Sequence, residues 1–150
     1  MSQSNPIRLF VTHVWQTSDD YLRVFEYLES ARNFFYRNHG TPDIAPTGDA
    51  EAQRENLRQQ INGAEVVIAL SSLAVTDLSM LTFQLNFAKV AKKPVVALKY
   101  FGIQKTTPKI ITDLADSVID WEERGLVDNI KLLARHEQTA RYEVIEFKLD

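Results

Sequence analysis

Two rhythms of apolar residues run along this 150-residue chain: short apolar runs, and longer segments with helical spacing between them. Five runs rich in β-formers are Ile7–Val14, Phe34–Tyr36, Ala64–Leu70, Pro94–Leu98 and Ser117–Trp121. They recur at about 25 to 30 residues, the length of a strand–helix–strand unit. Ala64–Leu70 and Pro94–Leu98 are nearly continuous in apolar residues. Strands buried on both faces read that way, which predicts a parallel sheet covered by helices.

The gaps carry helical signals. Ser18 is an N-cap candidate, and Tyr21, Phe25 and Leu28 follow it at helical spacing. Asp49 can cap a second helix through Leu57 and Ile61, with Gly63 as its stop. A third helix is expected from about Leu78 to Ala91, and a short fourth begins at Thr107-Pro108, where a proline at the first helical position loses no hydrogen bond. A fifth carries Leu126, Ile130 and Leu133. In the final stretch, Ile145, Phe147 and Leu149 alternate with Glu146 and Lys148, as in a strand with one buried face. The expectation is one α/β domain over residues 1–150, flavodoxin-like or TIR-like, with a five-stranded parallel sheet and helices on both faces. Strand one is expected to be central, and residues 137–150 to add an edge strand or pair between subunits.

Composition narrows the chemistry. There are no cysteines, so thiolate catalysis, cysteine-ligated zinc and disulfides are excluded together. His13, His39 and His136 share no metal-ligand spacing, so no metal is expected. The net charge of −3, with Lys89, Lys92 and Lys93 as the one dense basic cluster, argues against a nucleic-acid partner. The opening residues 1–6 are polar and lack the charged head and apolar middle of a signal peptide. No apolar stretch is long enough for a bilayer. A cytoplasmic location without membrane contact is therefore expected.

None of the five glycines builds a phosphate loop after the first strand, which removes the dinucleotide fingerprint and the P-loop. Strand three runs into Ser71-Ser72, where a receiver domain would carry an aspartate, and no Gly-x-Ser-x-Gly elbow is present. What remains lies at strand ends, where open α/β sheets bind ligands. Thr12-His13-Val14-Trp15 closes strand one, and Ser18-Asp19-Asp20 follows. Each has two readings. Asp19 and Asp20 are first-turn acids that suit a helix dipole, or ligand contacts. Trp15 packs the crevice rim or meets a ligand, and His13 is a satisfied structural histidine or a ligand contact. Gln84 has Met80, Leu81, Phe87 and Ala88 as its helical neighbours, so a polar amide sits in an apolar stripe. A buried amide needs partners, either in a neighbouring strand or loop or on a ligand's hydroxyls.

In this order and spacing, the residues resemble the TIR-like domains of the bacterial Thoeris antiphage system, the ThsB-like group. The likeness runs through Phe10-Val11-Thr12-His13-Val14-Trp15, Ser18-Asp19-Asp20-Tyr21 and the aromatic segment Phe34–Pro42. It continues through Ala64–Leu70, the Ser79–Ala88 helix and Lys93–Val96, as far as Asp120-Trp121. The resemblance implies cleavage of NAD as substrate, with no cofactor, releasing nicotinamide and a cyclic or rearranged ADP-ribose signal that a downstream effector senses. It places Ser79, Met80 and Gln84 at the positions of the family's serine, aromatic or cysteine, and catalytic glutamate. His13, Trp15, Asp19, Phe35, Asn38 and Ser71 would shape the nucleotide pocket. Glutamine at 84 keeps the size of glutamate but has no charge to stabilise an oxocarbenium-like centre, so the chain reads as a disabled form. Gln84→Glu would then raise NAD cleavage with the fold unchanged.

Two other classes fit the residues. One is a non-catalytic adaptor that assembles as a homo-oligomer. The other is a nucleoside deoxyribosyltransferase-like enzyme, which shares the architecture and would need a nucleophilic carboxylate near C1′.

Overall fold

The computed structural model describes residues 1–137. Five strands, β1 (Ile7–Val11), β2 (Tyr36–Asn38), β3 (Val66–Leu70), β4 (Val95–Leu98) and β5 (Ser117–Ile119), form one sheet in the order β2-β1-β3-β4-β5. Every pairing is parallel. Helices α1 (Asp19–Ser30), α2 (Ala50–Asn62), α3 (Leu73–Val90), α4 (Lys109–Leu114) and α5 (Glu123–Arg135) connect and follow the strands. The protein is an α/β domain of flavodoxin-like architecture. The expected middle position of β1 is corrected: β3 holds it, with β1 and β4 on either side. The alternating tail, 142–149, lies outside the described residues.

The period-two rule distributes the core over both faces. On one side, Ile7, Leu9 and Val11 of β1, Val66, Ile68 and Leu70 of β3, and Val96 and Leu98 of β4 pack with α1 and α5 residues such as Val24, Leu126 and Ile130. On the other, Phe10, Val67, Ala69, Val95 and Ala97 pack with α2, α3 and α4 through Leu57, Ile61, Leu81, Leu85 and Ile111. All five β3 side chains are buried, as the unbroken apolar run requires of a middle strand.

Several element ends move from their expected places for local reasons. β1 stops at Val11 rather than Val14 because Thr12 leaves the ladder. Its N–H still bonds Ile68 C=O, while its Oγ1 accepts from Leu70 N–H at 3.1 Å. β2 starts two residues late: Phe34 is buried in the core, and Phe35 joins only through its C=O, which accepts from Ile7 N–H. Ser18 and Asp49 cap α1 and α2, accepting from Tyr21 N–H and Ala52 N–H, and Gly63 closes α2. Helix α3 begins at Leu73 and breaks at Asp77. Asp77 then caps the second segment by accepting from Met80 N–H, so the expected start near Leu78 marks that segment.

Candidate ligand cleft

Sheet order reverses between β1 and β3, since β1 turns outward to β2 while β3 leads on to β4. Parallel sheets open a crevice beyond such a switch point. A cleft of about 230 Å³ lies there. Thr12, His13 and Val14 form one wall, Ser18, Asp19 and Asp20 at the start of α1 form another, and Leu70, Ser72 and Thr76 close the third. The lining is rich in hydroxyls and contains no lysine or arginine. Asp20 is committed to Arg23, with Oδ1 accepting from Nη1. Asp19 is exposed at the rim, and no ion pair engages it among the described residues.

Behind the cleft, His13 is the hub of a buried polar network. Gln84 is 0% exposed, and its amide is spent on main chain. Oε1 accepts from His13 N–H at 3.1 Å, while Nε2 donates to His13 C=O at 2.9 Å and to Met80 C=O at 3.1 Å. The His13 ring is equally engaged: Nδ1 accepts from Trp15 N–H at 3.0 Å, which leaves the proton on Nε2 to reach Gln60 Oε1 at 2.8 Å. Burial lowers the His13 pKa, and the bond to Gln60 opposes this only in part. Gln60 Oε1 also accepts from Thr41 N–H, and Gln60 Nε2 donates to Asn56. Amides thus tie the end of β1 to α2, to α3 and to the β2–α2 loop. Satisfied networks of this kind fix a unique backbone.

The other candidate residues divide by position. Trp15 takes a left-handed φ of 56°, and its buried indole N–H has no partner among the described residues. Its ring packs against the α2–α3 side of the core and edge-on to His13, so it braces the loop from behind. Ser71 is buried, with Oγ donating to Leu98 C=O at 2.8 Å, which ties β3 to β4. Asn38 shapes the turn after β2: its Nδ2 donates to Tyr21 Oη and its Oδ1 accepts from Gly40 N–H. Phe35 and Ser79 are exposed outside the cleft, and Met80 is a half-buried residue of α3 packed against the core.

Of the expected cluster, the structure brings His13 and Asp19 to the cleft wall, sets Trp15, Ser71 and Gln84 behind it, and leaves Phe35, Asn38, Ser79 and Met80 outside its lining. Sequence reasoning missed Gln16, Thr76 and Gln60. Gln60 carried the same signal as Gln84, being three residues from Leu57 on the apolar stripe of its helix. Among the described residues, no group of three or more His, Asp or Glu side chains could hold a metal ion. No helix there is long and apolar enough to cross a membrane.

No family model and no curated protein matches the chain. Among solved structures, a conserved protein from Enterococcus faecalis V583 superposes with a TM-score of 0.58 at 13% identity, covering 85% of this chain and 98% of that one. A 2-deoxyribosyltransferase from the psychrotolerant bacterium Bacillus psychrosaccharolyticus superposes with a TM-score of 0.51 at 11% identity, covering 81% and 90%. At these identities the likeness is one of fold, an α/β frame.

Proposed function

We propose that this chain is a TIR-like nucleotide-binding domain that holds the ribosyl part of NAD or a related nucleotide in the β1/β3 cleft without cleaving it. The observation that carries this reading is the pairing of an open, hydroxyl-lined cleft at the switch point with a fully buried Gln84 amide whose two N–H donors are already taken by main-chain carbonyls. Ser18, Thr76 and the carboxylate of Asp19 suit sugar hydroxyls, which both donate and accept. The 2-deoxyribosyltransferase built on the same frame acts, by its name, on a deoxyribosyl group, so C1′-linked bases are the natural ligand class for the crevice. The absence of a charge at position 84 removes the group that the TIR resemblance would use to stabilise a cation at C1′.

The test joins binding to turnover. Calorimetry should detect NAD binding, and nicotinamide release should stay at the level of a protein-free control for both the chain and Gln84→Glu. Release above that control would overturn the non-cleaving reading. A second reading rests on Asp19, whose carboxylate stands at the cleft rim without an ion pair among the described residues. If release occurs and Asp19→Asn abolishes it, the protein is an N-glycosidic-bond-cleaving enzyme with Asp19 at the sugar. If NAD, nucleosides and nucleotides all fail to bind, the domain acts through assembly instead.

A further inference from the structure

A second depression, about 470 Å³ and larger than the cleft, lies beyond the ends of β4 and β5. The loop after β4 supplies Lys99, Phe101, Lys105 and Thr106, and the chain after β5 supplies Asp120 and Trp121. Its character is opposite to that of the first cleft. Lys99 pairs with Asp120 at 3.3 Å, but Lys105 meets no carboxylate among the described residues, and its Nζ stands 4.7 Å above the Tyr100 ring. Phe101 is 42% exposed and Ile103 59% exposed, so apolar surface accompanies the charge.

Arg23 joins the two hollows. Its guanidinium holds Asp20, on the wall of the first cleft, and its Cζ lies 3.6 Å over the ring of Phe101, on the wall of the second. A planar cation stacked on one ring and hydrogen-bonded to a carboxylate is held in place. The rim from α1 to the loop after β4 is thereby a continuous surface.

The geometry points to a phosphate subsite in the second hollow, so that the ligand is a nucleoside diphosphate laid across both. This rests on the nucleotide-binding reading above and names where the phosphates go. A cleft of about 230 Å³ falls below the roughly 300–1,000 Å³ usual for small-molecule sites, and takes a nucleoside more readily than a dinucleotide. Its one charged wall outside an ion pair among the described residues is Asp19, which accepts from sugar hydroxyls and repels phosphate, since Asp20 is held by Arg23. A phosphate chain leaving the 5′ carbon is driven out of that cleft and, past the Arg23 guanidinium that Asp20 already holds, towards Lys105. The threonine hydroxyls beside Lys105 add donors.

Calorimetry with adenosine, adenosine diphosphate and inorganic pyrophosphate tests this on the full chain. The diphosphate should bind about tenfold or more tightly than adenosine, as a charge-assisted contact implies. Pyrophosphate should compete with it weakly. Lys105→Glu should remove most of that margin and leave adenosine binding unchanged within about twofold, because Lys105 lies outside the first cleft. Equal affinities for adenosine and its diphosphate, or a variant that weakens both alike, would overturn the subsite while leaving the nucleoside cleft intact. Pyrophosphate binding as tight as the diphosphate would reduce it to an independent anion site. If neither adenosine nor the diphosphate binds, the nucleotide reading itself fails and the subsite with it.

Discussion

Replacing Gln84 with glutamate tests the central claim about this core. The exchange preserves shape but removes a donor, and the donor end of Gln84 faces two carbonyl oxygens, of His13 at 2.9 Å and Met80 at 3.1 Å. An ionised carboxylate could keep only the bond from His13 N–H, with its second oxygen set against those carbonyls. A protonated one restores most of the glutamine pattern, donating its single O–H to one of the two carbonyls and accepting from His13 N–H through its other oxygen. Folding therefore selects the protonated form, and the introduced carboxyl is expected to have a raised pKa in the folded state. In the unfolded chain it titrates near 4.3, so holding it neutral at pH 7 costs up to about 3.7 kcal/mol, at 1.36 kcal/mol per unit. Below the unfolded pKa both states are protonated and no penalty remains. As pH rises through about 4.3 the unfolded state ionises first, and the variant loses stability until the folded pKa is reached.

Urea unfolding of the two proteins at pH 4 and pH 7 measures this directly. The expected difference is within about 1 kcal/mol at pH 4 and about 3 kcal/mol at pH 7. A difference that stays below about 1 kcal/mol at both values would refute the buried placement of the amide and return Gln84 to the cleft.

Three further outcomes are expected of the same structure. Glu65 is held by Arg135 through Nε at 2.8 Å and Nη2 at 2.9 Å, chiefly for that reason its pKa falls from 4.5 to about 2, and with 16% of its side chain exposed the pair is largely sheltered. A depressed carboxylate pKa contributes stability that is present above about 4.5 and lost as pH falls towards 2. After allowance for solvent screening, acid titration of stability should show about 2 kcal/mol of loss that Glu65→Gln removes. His13, lowered by burial, should remain neutral by imidazole NMR at the pH where a free histidine is half-protonated, and stability should fall as pH drops through the unfolded value of about 6.5. Asp49→Ala removes the side-chain cap on Ala52 N–H and should cost about 1 kcal/mol in urea unfolding, with ligand binding unaffected.

The sequence by itself determined the layers. The unbroken apolar runs at Val66–Leu70 and Val95–Leu98 demanded burial on both faces, and a strand can meet that only inside a parallel sheet with helices above and below. Ser18, Asp49 and Gly63 marked helix ends because capping is satisfied within a few residues of chain. Periodicity also showed that Gln84 stands among apolar neighbours, since helical spacing is local.

Tertiary structure alone decided what Gln84 touches. His13 is 71 residues away in the chain, and only the packing of α3 beside the end of β1 turns an unexplained amide into two bonds to one main-chain unit. The same holds for Arg23 and Phe101, which stack across the rim although neither lies in a motif. The middle position of β3 was likewise a property of the assembled sheet, because an apolar run reports that a strand is covered but not which strands are its neighbours. Partner choice between distant polar groups depends on which surfaces the crossovers bring together, and a one-dimensional pattern carries no distance between them.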